Sequence, residues 1–236
     1  MFRTRSLAIG SAIVVGWNAS SFRKETVAFA EAAKTPYPFN TKGMPEKLTL
    51  PINVGLKGDL TLAAVGMRRK NLYVVEVDIY MIGISLSDQT VKSAKEWAAS
   101  EKKCSLADYI FPSAPSNTDK GPSDVKIAAT LRFARGVTRQ QFIDAFDEAF
   151  KGLPKEMIDD WKSQMQRSIT ANVEKDDEII FYWLDNGEVL FTKNGVVGQS
   201  LKYNILNKRL LEVYIDPARA VSKEVPACLE KHIAEI

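Results

Sequence analysis

LAAVGMRRKNLYVVEVDIYMIGIS, residues 62–85, is the stretch that decides how this chain folds. A Gly-x-Arg turn, Gly66-Met67-Arg68, runs into a long strand, and successive side chains of a strand point to opposite faces. Tyr73, Val75, Val77, Ile79 and Met81 form one oily set, while Val74, Glu76, Asp78, Tyr80 and Ile82 form a second set that carries charge. Carried back through the turn, the same parity places Arg68 and Lys70 with Glu76, Asp78 and Tyr80. Cations, carboxylates and a phenol are therefore expected on one side of the sheet, as a polar binding face or as an ordinary solvated one.

Upstream, 47–54 and 60–65 read as strands around Gly55 and Gly58, so the domain opens as a β meander. Downstream, 91–100 is predicted helical with a stripe of Val91, Ala94, Trp97 and Ala98, and the Pro/Ser/Asn/Gly-rich stretch 111–122 is a loop. Alternation returns over 125–133. Thr138 and Gln141 have capping-box spacing ahead of a helix with Phe142, Ala145, Phe146, Ala149 and Phe150 on one face, stopped by Gly152 and Pro154. A second helix over 156–169 presents Ile158, Trp161, Met165 and Ile169, an aromatic stripe that reads first as core. Two hairpins follow, with strands over 178–184, 189–192 and 196–201 turned by Asn186-Gly187 and Asn194-Gly195. Helices over 203–215 and 222–236, separated by Asp216-Pro217, close the chain. Strands, helices and hairpins without βαβ alternation predict an α+β fold, a mainly antiparallel sheet covered by helices.

At 236 residues and 45% hydrophobic content, the chain suits one sizeable core. Residues 1–45 hold Arg3, Arg5, Arg23, Lys24, Lys34 and Lys42 against only Glu25 and Glu31, which accounts for the whole net charge of +3. The remainder carries no basic excess, which removes the main reason to expect a nucleic-acid partner. Cys104 and Cys228 lie far apart and outside any metal-binding spacing, so no metal or cofactor is expected. The single histidine, His232, lies in a charged terminal stretch, and a mechanism needing two histidines is excluded.

Residues 1–45 are expected to be a targeting leader and Pro-rich linker ahead of one domain over 46–236. The apolar run from Leu7 to Trp17 is too short to span a bilayer, so the chain is not expected to be transmembrane. Three readings of the leader compete: a mitochondrial presequence, a secretory signal cut after Ala28-Phe29-Ala30, and a bipartite plastid leader, for which Ala19-Ser20-Ser21-Phe22 resembles a known cleavage motif. The expected destination is an organelle, plastid or mitochondrion.

Three groups of residues resemble the chalcone isomerase family, whose non-catalytic branches include plant fatty-acid-binding proteins. Gly66-Met67-Arg68 and the strand ending Asp78-Ile79-Tyr80-Met81 match its Gly-x-Arg and Gly-aliphatic-Tyr-aliphatic elements. The segment 131–138, leading to Phe142, Ala145 and Phe146, matches its strand, turn and helix; Asn186-Gly187 through Leu211-Glu212-Val213-Tyr214-Ile215 matches its hairpin and following helix. The resemblance implies an open-faced sandwich with a ligand cleft between sheet and helices. For a true isomerase, which closes a ring by attack of a phenolate on an enone, it implies an arginine for the phenolate and hydroxyl and amide groups for the enolate.

Arg68 keeps the family's arginine. Counting without gaps, the strand position that is threonine in isomerases and tyrosine in fatty-acid binders falls on Val75, or on Glu76 after a one-residue slip. The catalytic tyrosine falls near Arg139, its asparagine partner near Phe146, and the Ser/Thr specificity position on Asn207. Losing such donors costs about 10²–10³ in rate for each. The expectation is thus a non-catalytic member that binds a fatty acid or other amphipathic carboxylate through Arg68 with Tyr80 or Tyr73, with Arg132 in reserve and Asn207 as a further contact. Glu76 and Asp78 count against it, because close carboxylates would repel the ligand or occupy the arginine. An isomerase-type intramolecular lyase and a docking scaffold for a protein partner are the alternatives. The mature protein isolated from its source is expected to begin downstream of Ser21, and intact-mass spectrometry checks this.

Overall fold

The computed structural model describes residues 43–51, 55–72, 75–100, 104–111 and 124–235. Among the described residues, seven antiparallel strands stand in sequence order in one curled sheet: β1 Lys47–Leu48, β2 Leu60–Leu72, β3 Val75–Ser87, β4 Val125–Phe133, β5 Glu178–Leu184, β6 Val189–Lys193 and β7 Val196–Val197. Six helices accompany them among the described residues: α1 Asp88–Ala99, α2 Leu106–Ile110, α3 Arg139–Asp144, α4 Lys155–Ser168, α5 Asn204–Ile215 and α6 Glu224–Glu235. This is the α+β architecture expected of the sequence.

Local chemistry sets the boundaries. The side chains of Ser87 and Ser105 accept from the backbone N–H groups of Thr90 and Asp108, capping α1 and α2. The capping box ahead of α3 closes both ways: Thr138 Oγ1 accepts from Gln141 N at 3.1 Å, and Gln141 Oε1 accepts from Thr138 N at 3.0 Å. Asn194 and Gly195 both take positive φ, 50° and 76°, as a tight primed turn between β6 and β7 requires.

Several expectations need correction. Gly-x-Arg is not a turn: β2 runs unbroken through it, and the pairing with β3 slips between Arg68 and Arg69. The oily set on β3 is the less buried one. Val75 is 53% exposed and Val77, Ile79 and Met81 are half-buried, whereas Tyr80, Ile82, Ile84 and Leu86 form the core face. Branched residues favour a pleated strand whether or not a layer covers them, so the alternation gave the faces but not which one is inside. Of the strand expected over 47–54 only Lys47–Leu48 is described as paired, and 52–54 lie outside the described residues. The last strand is β7 alone, followed by a single bridge from Val189 to Leu201. On α1 the buried stripe is Thr90, Ala94 and Trp97, and after α3 Ala145 is exposed while Ile143 is buried. Apart from Gly43–Pro45, the leader and linker lie outside the described residues.

A connected series of aromatic rings runs through a core that is otherwise mostly aliphatic. Rings run from Tyr80 to Phe133 (5.2 Å between centroids), Phe142 (5.8 Å), Phe146 (5.4 Å), Phe181 (6.3 Å), Trp183 (6.1 Å) and Tyr214 (6.4 Å). Trp183 also donates from Nε1 to the carbonyl of Asn207 at 2.8 Å, fastening α5 to the sheet.

The C-terminal segment reaches the sheet at Gly66. A Cβ there would stand 2.6 Å from Val225 Cγ2 and 2.7 Å from Ser222 Oγ. Gly66→Ala is therefore expected to cost about 1–3 kcal/mol through overpacking, read as a lower urea midpoint with an unchanged slope.

Candidate functional site

Arg68 on β2 stands directly opposite Tyr80 on β3, so their side chains leave the sheet on the same face. Arg68 Nη1 donates to the carbonyl of Val221 at 3.1 Å. Val221 is itself held to the end of α5, its N–H donating to Val213 O at 2.9 Å. Two hydroxyl side chains flank that contact, Tyr214 at the end of α5 and Ser222 after Val221. One strand pair and the α5–α6 connection thus bring together a guanidinium, two phenols and a serine.

All three hydroxyl residues are buried, Tyr80 at 7%, Tyr214 at 0% and Ser222 at 6% exposure. Burial pushes the Tyr80 phenol up to about 12, with the Arg68 charge pulling the other way. Burial pushes Tyr214 well above its ordinary value; Tyr80 adds to the rise and Arg68 opposes it. Among the described residues, neither Tyr214 OH nor Ser222 Oγ has a hydrogen-bond partner. A buried hydroxyl left in that state costs about 1–3 kcal/mol.

The carboxylates are engaged elsewhere. The slip after Arg68 pairs Arg69 with Asp78 in the sheet register, and Arg69 Nε lies 3.0 Å from Asp78 Oδ1. Arg69 Nη1 holds Glu224 Oε1 at 2.6 Å, and Glu224 Oε2 accepts from Met67 N at 2.9 Å. Burial pulls the Arg69 guanidinium down, but Glu224 and Asp78 outweigh it and hold it above its usual value. Glu76 is exposed. Among the described residues no carboxylate pairs with Arg68, so the expected neutralisation falls on its neighbour instead.

The remaining sequence candidates do not join this cluster. Tyr73 lies outside the described residues. Arg132 pairs with Met81 and so stands on the opposite face from Phe133 and Tyr80, where its Nη1 donates to Gly43 O at 2.7 Å. Asn207 is 1% exposed and its Nδ2 donates to Gly187 O at 2.9 Å and Leu201 O at 2.8 Å, pinning the β5–β6 hairpin and the segment before α5. Val75 faces Leu72 at the far end of the strand pair and is 53% exposed, and the residue facing Arg68 is Tyr80. Arg139 is exposed, and Phe146 is buried against Trp161 at 5.2 Å. Tyr214 was visible in the Leu-Glu-x-Tyr match, but no sequence signal pointed to Val221 or Ser222.

The cluster contains donors and no proton acceptor suited to a general base. The only histidine, His232, lies in the last turn of α6. Among the described residues no group of His, Cys, Asp and Glu is placed to hold a metal ion, and no helix is long and apolar enough to cross a membrane. Two surface grooves of about 530 and 520 Å³, meeting at Lys202 and Tyr203, are lined by residues of α4, α5 and the segment between β7 and α5 and include none of the cluster.

A family model described as chalcone isomerase-like matches residues 46–223. No curated protein matches the chain in sequence. Among solved structures, a fatty-acid binding protein of Arabidopsis thaliana superposes with a TM-score of 0.59 at 15% identity, over 81% of this chain and 93% of that one. At that identity the likeness establishes the fold.

The buried phenols give the cluster a pH signature. Between the ordinary value of 10.0 and about 12, Tyr80 keeps its proton when folded and loses it when unfolded. Stability must therefore fall as pH rises through that window, by about 1.4 kcal/mol per pH unit for each such tyrosine. Urea midpoints measured from neutral pH into this range are expected to decline, with Tyr80→Phe and Tyr214→Phe each flattening the decline.

Proposed function

Because the chain belongs to the chalcone isomerase-like family, we propose that it is a non-catalytic member that binds a fatty acid or a similar amphipathic carboxylate, with the head group at Arg68 and Tyr80. The observation that carries this reading is the pairing of Arg68 with Tyr80 across β2 and β3. A guanidinium opposite a phenol offers charge and directed hydrogen bonds to a carboxylate. Tyr80 is the residue matched to the tyrosine of the family's Gly-aliphatic-Tyr-aliphatic element, and the position that is threonine in isomerases and tyrosine in fatty-acid binders falls on Val75, which cannot donate.

Three features support it. Asp78 and Glu224 are bound to Arg69, which leaves Arg68 with a backbone carbonyl as its partner. Tyr80 and Tyr214 stand at the two ends of the aromatic series, so buried apolar rings adjoin the polar cluster. The third feature counts against turnover: the isomerase tyrosine and asparagine positions fall near Arg139, which is exposed, and Phe146, which has no donor for a developing enolate.

Titration of delipidated protein with decanoate, followed by calorimetry, tests the proposal. Saturable binding is expected, weakened about 10- to 100-fold by Arg68→Ala and by Tyr80→Phe, since hydrogen bonds to a charged group contribute about 1.5–3 kcal/mol. A chalcone substrate is expected to lose its chromophore no faster than in buffer. Binding that ignores both substitutions, or rapid chalcone turnover, overturns the reading.

A further inference from the structure

Four buried side-chain polar atoms stand without a hydrogen-bond partner among the described residues: Trp161 Nε1, Asn207 Oδ1, Tyr214 OH and Ser222 Oγ. The first two are isolated cases. Trp161 is packed between Phe146 and Phe150, with ring centroids at 5.2 and 4.9 Å, and the amide nitrogen of Asn207 already makes two hydrogen bonds. The other two flank a single contact, that of Arg68 with Val221 O. Ser222 follows Val221 directly and its Oγ faces Gly66, two residues before Arg68 on the same strand. Tyr214 adjoins Val213, whose carbonyl receives the Val221 N–H, and its phenol is close enough to Arg68 and Tyr80 to feel both.

We propose that Tyr214 OH and Ser222 Oγ are direct head-group contacts, so that the site takes a carboxylate and rejects a neutral group on the same chain. The proposal rests on the binding function proposed above and adds two residues to it. Its argument is one of hydrogen-bond supply. Arg68 presents five N–H donors and no acceptor, and spends one on Val221. The hydroxyls of Tyr80, Tyr214 and Ser222 can each donate, and the two carboxylates of the neighbourhood, Asp78 and Glu224, are committed to Arg69. A carboxylate has two oxygens with about four lone-pair sites and can accept from all of these groups. An alcohol has one oxygen and brings a donor of its own, and an ester has no charge to answer the guanidinium. Either leaves buried donors unmet.

The test compares decanoate, decanol and methyl decanoate on the full chain and on Tyr214→Phe and Ser222→Ala, with urea unfolding of each protein without ligand. Wild-type protein is expected to prefer decanoate by about 100-fold or more, and each substitution to weaken decanoate about 10-fold. Neither substitution is expected to lower the unfolding midpoint without ligand, because each removes a hydroxyl that bonds nothing in the protein; a structural role predicts the reverse, a lower midpoint with binding preserved.

Equal decanoate binding by wild type and both variants overturns the role of the two hydroxyls while leaving Arg68 and Tyr80 as the site. Equal affinity for decanol overturns the selectivity, and a lowered midpoint overturns the claim that the hydroxyls have no protein partner. Wild-type protein that binds no decanoate overturns both this proposal and the function beneath it.

Discussion

One irregularity in strand pairing governs the electrostatics of this domain. Between Arg68 and Arg69 the register of β2 against β3 skips Ile79, so Arg68 faces Tyr80 and Arg69 faces Asp78. Regular pairing would send consecutive side chains to opposite faces, whereas a bulge re-aims one of them. Both arginines reach the C-terminal segment, Arg68 at Val221 and Arg69 at Glu224. The two cations then divide the work. Arg69 collects two carboxylates and ties α6 to the sheet, and Arg68, supported only by a carbonyl, keeps its charge available.

The close approach at Gly66 makes this division workable. Because no Cβ intervenes, Ser222 and Val225 settle against β2 and carry Val221 and Glu224 to within reach of the two arginines. That compactness has an energetic cost. Tyr214 and Ser222 lose water on burial and gain no partner among the described residues, a debt of about 1–3 kcal/mol for each hydroxyl. A core built only for stability would place phenylalanine and alanine there. Their cost is concentrated around the Arg68 guanidinium, which has no carboxylate partner among the described residues.

The sequence revealed the elements more readily than their faces. The span of β4, the capping box at Thr138 and both Asn-Gly turns were legible because each depends on residues close together in the chain. The inner face of β3 was not, since Val75, Val77 and Ile79 are oily yet lie beyond the layer that buries Ile82 and Ile84. Arg68 and Tyr80 were both readable as candidates, but their partnership depends on strand register. Val221 and Ser222 lie more than 150 positions from Arg68, in a connection with no periodicity, so only the folded chain brings them to the site. Asn207 and Arg132 show the converse, polar residues of plausible chemistry that are spent on backbone carbonyls.

The proposed binding role also bears on how binding and isomerisation could part company on one fold. Closing a ring by phenolate attack needs charge to move from one oxygen to another, and donors must be aimed at both places. Here the donors converge beside Arg68, and the core next to them is built from apolar rings such as Phe133 and Phe142, which offer no donor. Burial keeps Tyr80 and Tyr214 protonated far above neutral pH, so they serve as donors and not as bases. A fixed negative charge with an apolar body satisfies every part of that arrangement. A migrating charge would be held strongly at its origin and stabilised nowhere else, which raises the barrier to turnover.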